Sequence, residues 1–248
     1  RNGLSLEPRL LALAASSHSG AAMHIDGVRE ILALAGLTES ALQCSLDRPL
    51  GEAERKAWGD KDATRITMNC SGKHAAMLLT CVKNNWPIEN YLDPAHPLQV
   101  ACKAELESLA SERITLTSTD GCGAPLFLLT VAGLARAIRA ITISTDPIHQ
   151  SVIDACRTYP MMVAGSSRLT TEMMQNVPEL FMKDGAEAVE IASLADGRTF
   201  VFKVSDGSLR PFRTLTHACL QSFGVASPFE PEKVMGGARV IGTIRATF

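Results

Sequence analysis

"NCSGKHA" (69–75) gathers a thiol, a hydroxyl, an amine and an imidazole around one glycine. The strand-like run "ATRIT" (63–67) leads into it. The apolar run "AAMLLTCVKNN" (75–85) follows, with the composition of a buried helix. A helix starting at the glycine puts Cys70 and Lys73 on one side of its first turn. A thiol there sees the positive end of the helix, and a neighbouring ammonium lowers its pKa further. The bland reading is a tightly packed small-residue turn with Lys73 in solvent. The heptapeptide alone does not separate the two.

Outward from this turn the chain is helix-rich. "EPRLLALAAS" (7–16) sets Leu10, Leu11, Leu13 and Ala14 on one wide face, within a helix expected over 5–16 that Ser5 would start. A second helix runs from about His24 to Ala35 and stops at Gly36, and "GEAERKAWGD" (51–60) is a short third. Beyond the turn, helices are expected over 98–110, 126–141, 146–160, 168–178 and 213–224. "ITLTSTDGCGAP" (114–125) is a strand entering a glycine-rich turn. Residues 180–212 alternate strand runs with D-G turns, as antiparallel strands do, and "ARVIGTIRATF" (238–248) is a last strand. Strands concentrated late, without strand–helix alternation, give an α+β class: helices packed on a mostly antiparallel sheet. There is no internal repeat or linker, so residues 1–248 form a single domain.

Composition narrows the function classes. The 248 residues are 46% hydrophobic, enough for a sizeable core. The net charge is −2 and the aromatic content 5%, with no basic stripe or stacking surface for nucleic acid. No apolar run reaches the ~18 residues of a membrane span, and no signal peptide is visible. Seven irregularly spaced cysteines argue against a disulfide framework and for reduced thiols in a cytoplasmic protein. Cys81, Cys156 and Cys219 sit in apolar, helical surroundings, as core residues do.

Four polar turns carry the reactive groups: "SSHSG" (16–20), "NCSGKH" (69–74), "TDGCGAP" (119–125) and "MKDGAE" (182–187). Cys70 and Cys122 offer two sulfurs to a tetrahedral zinc, which His74, Lys73 or Asp120 would complete. A lysine beside two thiolates should stay charged, however, which opposes ligation by Lys73. "SSHSG" holds Ser16, Ser17, His18 and Ser19, but Ser-rich turns are common. "MKDGAE" alone is an ordinary D-G turn with an exposed Lys183.

Taken together and in order, "ASSHSG", "NCSGKHA", "DGCGAP", "VAG" with Arg168, and "KDGAE" resemble the L-asparaginase II family, the rhizobial-type class 3 asparaginases. The resemblance runs to the final "VIGTIRATF". It implies a fold like that of serine β-lactamases and glutaminases, and hydrolysis of L-asparagine to L-aspartate and ammonia. It implies a zinc ion held by Cys70, Lys73 and Cys122 with Asp120 close by, catalytic roles for Ser17 and Lys183, and a homodimer. His18, Asp120 and Arg168 are then the substrate-binding candidates, Arg168 for the carboxylate because its planar fork matches one.

The sequence departs from the family pattern in three places. The family's first Ser-x-x-Lys, which the resemblance makes the best-supported nucleophile and its partner, lies upstream of the segment matched by Arg1, and no serine here is followed three positions later by lysine. The chain therefore reads as the catalytic domain without the family's N-terminal segment. Ala21 and Thr170 stand where the family usually carries acidic residues. Three competing readings remain at this stage: a catalytically impaired remnant binding metal or a small amino acid, a cysteine-dependent amidohydrolase using Cys70, and a scaffold.

Overall fold

The computed structural model describes residues 6–228 and 230–248. Its helices are α1 (Pro8–Ala14), α2 (Ala22–Leu34), α3 (Glu52–Trp58), α4 (Ser71–Lys83), α5 (Pro97–Ala110), α6 (Val131–Thr142), α7 (Pro147–Thr158), α8 (Pro160–Val163), α9 (Leu169–Asn176) and α10 (Phe212–Ser222). Its strands are β1 (Thr117–Thr119), β2 (Pro125–Phe127), β3 (Leu180–Gly185), β4 (Val189–Leu194), β5 (Thr199–Lys203), β6 (Lys233–Gly236) and β7 (Arg239–Thr243). All pair antiparallel, in a three-stranded sheet β3-β4-β5 and two hairpins, β1-β2 and β6-β7. The α+β class holds. No helix among the described residues is long and apolar enough to cross a membrane.

Three expectations need correction, and one lies outside the described residues. "ATRIT" forms no strand; only Thr64 bridges to Asp47. Threonine hydroxyls bind locally there, Thr67 Oγ1 donating to the Asp47 carbonyl at 2.6 Å and meeting Thr64 Oγ1 at 2.7 Å. Such bonds compete with a sheet ladder. The helix expected over 126–141 starts at Val131, because Thr130 caps it by accepting from Gly133 N–H at 2.9 Å. Pro125–Phe127 is thereby left to pair with β1. Asp184 and Gly185 do not form a turn; they continue β3, and the chain reverses at Glu187 and Ala188, both left-handed. Ser5, the expected start of the first helix, lies outside the described residues.

The core gathers α1, α2, α4, α7, α9 and the inner face of the three-stranded sheet, with Leu13, Ile31, Leu78, Leu79, Met173 and Leu180 nearly or fully buried. α4 is central. Its N-cap, Cys70, makes no side-chain capping bond. Losing a cap costs roughly 1 kcal/mol, whereas burying each leucine stabilises by about 1.5–3 kcal/mol. Packing therefore fixes α4 and releases the Cys70 sulfur from a capping role. Gly72 lets α1 approach: a Cβ there would lie 2.6 Å from the Leu13 carbonyl oxygen. Cys81 and Cys156 are fully buried and Cys219 is partly buried.

Candidate active site and metal centre

Four separate segments meet at the site. Backbone bonds hold the loop between α1 and α2: Ser17 N–H donates to Val163 O at 3.1 Å, and His18 N–H to Asn69 O at 3.0 Å. The first ties the loop to α8, the second to the turn before α4. Gly165 (φ +110°) passes so close to Ser19 that a Cβ would meet its Oγ at 2.4 Å, which only glycine tolerates.

These ties bring Ser17 under the side chain of Lys183 from β3. Lys183 Nζ donates to Ser17 Oγ at 2.8 Å. Among the described residues no other serine or threonine hydroxyl is met by a lysine amine. Lys183 also donates to the carbonyl of Asp184 and lies 3.6 Å from its Oδ1. Its side chain is 15% exposed, so the solvent-facing lysine of an ordinary turn is not what the fold makes. Asp184 is held in turn by Arg168 Nη2 at 2.5 Å and by Thr170 Oγ1 at 2.9 Å. Burial opposes its charge, but Lys183, Arg168 and the Thr170 hydroxyl together keep its pKa below the usual carboxylate range.

The second cluster lies at the start of α4. Cys70 Sγ, an Asp120 oxygen and Cys122 Sγ all lie within 4.8 Å of one another. Lys73 Nζ is 3.6 Å from Asp120 Oδ2. The turn that presents Asp120 and Cys122 closes through Gly123 N–H to Asp120 O at 2.8 Å and Asp120 N–H to Ala124 O at 2.8 Å. The Cys122 thiol has one hydrogen and two acceptors, Asp120 Oδ2 at 3.0 Å and the Cys70 sulfur. Sharing it pulls Cys70 down to about 7 against burial, with Lys73 helping, and pushes Cys122, also buried, up to about 12. Burial opposes the charge of Lys73, yet Cys70, Cys122 and Asp120 together raise its pKa. A tetrahedral ion with bonds of about 2.0–2.3 Å holds its ligands about 3.3–3.8 Å apart, so the two buried sulfurs and the half-buried Asp120 can close on a metal with small movements. His74 Nε2 is buried with no hydrogen-bond partner and near enough to Cys122 to favour its thiolate, while Nδ1 meets Tyr91 Oη at 2.7 Å.

His18 is fully buried. Ser71 Oγ donates to Ile66 O at 2.8 Å, so its 2.9 Å contact with His18 Nε2 makes the imidazole the donor. Burial and the stacked His24 ring, 5.1 Å away, push His18 down to about 3, so it is neutral. His18 thus links the Ser17 loop to the first residue of α4.

The L-asparaginase II family model matches residues 1–245. The chain belongs to the L-asparaginase II family. No curated protein matches it. As an L-asparaginase II, it belongs among amidohydrolases acting on small molecules, and its family motifs fall on the segments that meet here. Ser17, Lys183, Asp184 and Arg168 form one connected group; Cys70, Lys73, Asp120 and Cys122 form another. Sequence reasoning named seven of these eight and passed over Asp184, which it took for half of a turn. It also missed Glu190 on β4, fully buried opposite Asp184, both of whose carboxyl oxygens lack partners. A carboxyl residue inside an otherwise strand-like run was the available signal.

Proposed function

We propose that this L-asparaginase II releases ammonia from L-asparagine to give L-aspartate, using a serine activated by lysine. The observation carrying the reading is the 2.8 Å contact between Lys183 Nζ and Ser17 Oγ in a chain of this family. With the Lys183 amine in its neutral form, Ser17 Oγ attacks the side-chain amide carbon while its proton passes to that amine. The same proton then goes to the departing nitrogen, the C–N bond breaks and ammonia leaves. Water hydrolyses the remaining ester, restoring the Ser17 hydroxyl and freeing aspartate.

Arg168 retains guanidinium N–H groups beyond the one on Asp184, and these suit the substrate carboxylate. Asp120 suits the substrate ammonium: burial opposes its charge, but the Cys122 thiol and Lys73 hold its pKa low. His18 acts behind the site, fixing the Ser17 loop to α4. Cys70 and Cys122, with Lys73 and Asp120 beside them, would hold zinc, since two sulfurs suit that ion better than magnesium or calcium. Bound there, zinc would supply positive charge at the start of α4. The homodimer implied by the family resemblance belongs to the same proposal.

The test is ammonia release from L-asparagine and L-glutamine by the purified chain. Release from asparagine supports the reading; a folded chain inactive on both amides overturns it. Activity abolished by alkylation but kept under chelation would move the nucleophile to Cys70.

A further inference from the structure

Lys183 has a long, flexible stem, and one hydrogen bond to a serine does not hold such a side chain in a single geometry. The structure supplies a second hold. Asp184 follows Lys183 on β3, accepts from it through its carbonyl and faces Nζ with Oδ1 at 3.6 Å. Arg168 binds the other carboxylate oxygen at 2.5 Å. One carboxylate therefore stands between two basic side chains. Glu190, directly across β4, adds no second charge: burial and the Asp184 carboxylate raise its pKa well above normal, so it stays neutral. The Asp184 carboxylate is the only charged acid among the described residues bonded to either Lys183 or Arg168.

Thr170 Oγ1, at the start of α9, lies 2.9 Å from Asp184 Oδ1. A side chain at 170 therefore reaches the space the Asp184 carboxylate fills. We infer that Asp184 is the positioning residue that holds Lys183 Nζ on Ser17, and that position 170 is a second place from which a carboxylate can do the same. This rests on the reading of Ser17 and Lys183 as the reacting pair.

The experiment compares the wild-type chain with Asp184→Asn, Thr170→Asp and the double variant. At one fixed pH, acetylation of Lys183 by acetic anhydride is followed by peptide mass spectrometry. Lys203, an exposed lysine on β5, serves as the internal reference. Asp184→Asn should speed Lys183 acetylation several-fold relative to Lys203, and the double variant should return it close to the wild-type rate. Thr170→Asp, which keeps Asp184, should slow it, and this decides the matter if Asp184→Asn does not fold. Unchanged Lys183 labelling in folded Asp184→Asn or in Thr170→Asp overturns the inference, as does a double variant that labels like Asp184→Asn. In turnover, Asp184→Asn should lower kcat with KM little changed, and the double variant should recover it. A raised KM with kcat intact would assign Asp184 to Arg168 alone and overturn the inference. A wild-type chain inactive on amides would sink the functional reading while labelling still decides this one.

Discussion

Lys183 Nζ donates to Ser17 Oγ across 2.8 Å, joining residues 166 positions apart. The contact depends on two pieces of scaffold: the β3–β4 ladder that carries Lys183, and the backbone bonds from Ser17 and His18 that seat the loop. Ser17→Ala leaves the lysine without its hydroxyl partner, and Lys183→Met removes the amine while keeping the stem volume. Lys183→Met should lower kcat for asparagine by about 10²–10⁴-fold, the usual weight of a positioned base, and Ser17→Ala, which removes the nucleophile, by at least as much. Steady-state ammonia release measures both. Full activity in Ser17→Ala would remove that residue from the mechanism.

Glu190 gives the chain a pH-dependent weakness. Folded, it is neutral; unfolded, it ionises near the ordinary glutamate pKa of about 4.3. Above that pH the unfolded state binds fewer protons, so stability falls as pH rises toward the folded-state value. Glu190→Gln cannot ionise and loses this dependence. Urea unfolding should show the variant gaining on wild type as pH rises from about 4.5 toward 7, by about 1.4 kcal/mol per pH unit until the folded-state pKa is reached. A constant difference across that range would mean that Glu190 is charged in the folded chain.

Much of the site was legible because its groups sit in turns whose composition is unusual: "NCSGKH" and "TDGCGAP" announce themselves by cysteine, lysine and glycine at close spacing. The helices were legible where apolar periodicity and a stop residue agreed, as at α2 and Gly36. Asp184 and Glu190 were not, because their meaning lies in the cross-strand register, which places the two carboxyls opposite each other. "ATRIT" failed for the opposite reason, since β-favouring residues there spend their hydroxyls on local bonds. Hairpin β6–β7 was half legible: the last strand was read from the sequence, whereas β6 is a short segment with no buried face.

Gly72 links the core to the turn that carries Cys70. A methyl group there would lie 2.6 Å from the Leu13 carbonyl oxygen and 2.9 Å from Leu13 Cγ, so α1 or α4 must shift. Overpacking of this kind costs about 1–3 kcal/mol. Its backbone is ordinary helix, so the gain in helix propensity from alanine, about 1 kcal/mol at most, only partly offsets the clash. Gly72→Ala should therefore lower the thermal midpoint and move Cys70 relative to Cys122. An unchanged or raised midpoint would show that α1 yields without cost.

Metal binding should be coupled to proton release with a definite sign. Both sulfurs must be thiolates to ligate. Cys70 sits near 7, but Cys122 is pushed up to about 12 by its hydrogen bond to Cys70 and by burial, so near neutral pH its proton has to leave when an ion enters. Zinc affinity should accordingly strengthen as pH rises and weaken as it falls. Calorimetry in buffers of different ionisation enthalpy should find about one proton or more released per ion near pH 7. The ion should also stabilise the fold, by about 2.7 kcal/mol when free zinc is a hundredfold above its Kd. Cys70→Ser and Cys122→Ser should each abolish that gain without abolishing folding, because α4 is held by Leu78 and Leu79 rather than by its cap. Zinc that neither stabilises the chain nor displaces protons would show that the thiol pair is not a metal centre. The shared hydrogen between Cys70 and Cys122 would then be its resting chemistry, and Cys70 the group to examine as a nucleophile.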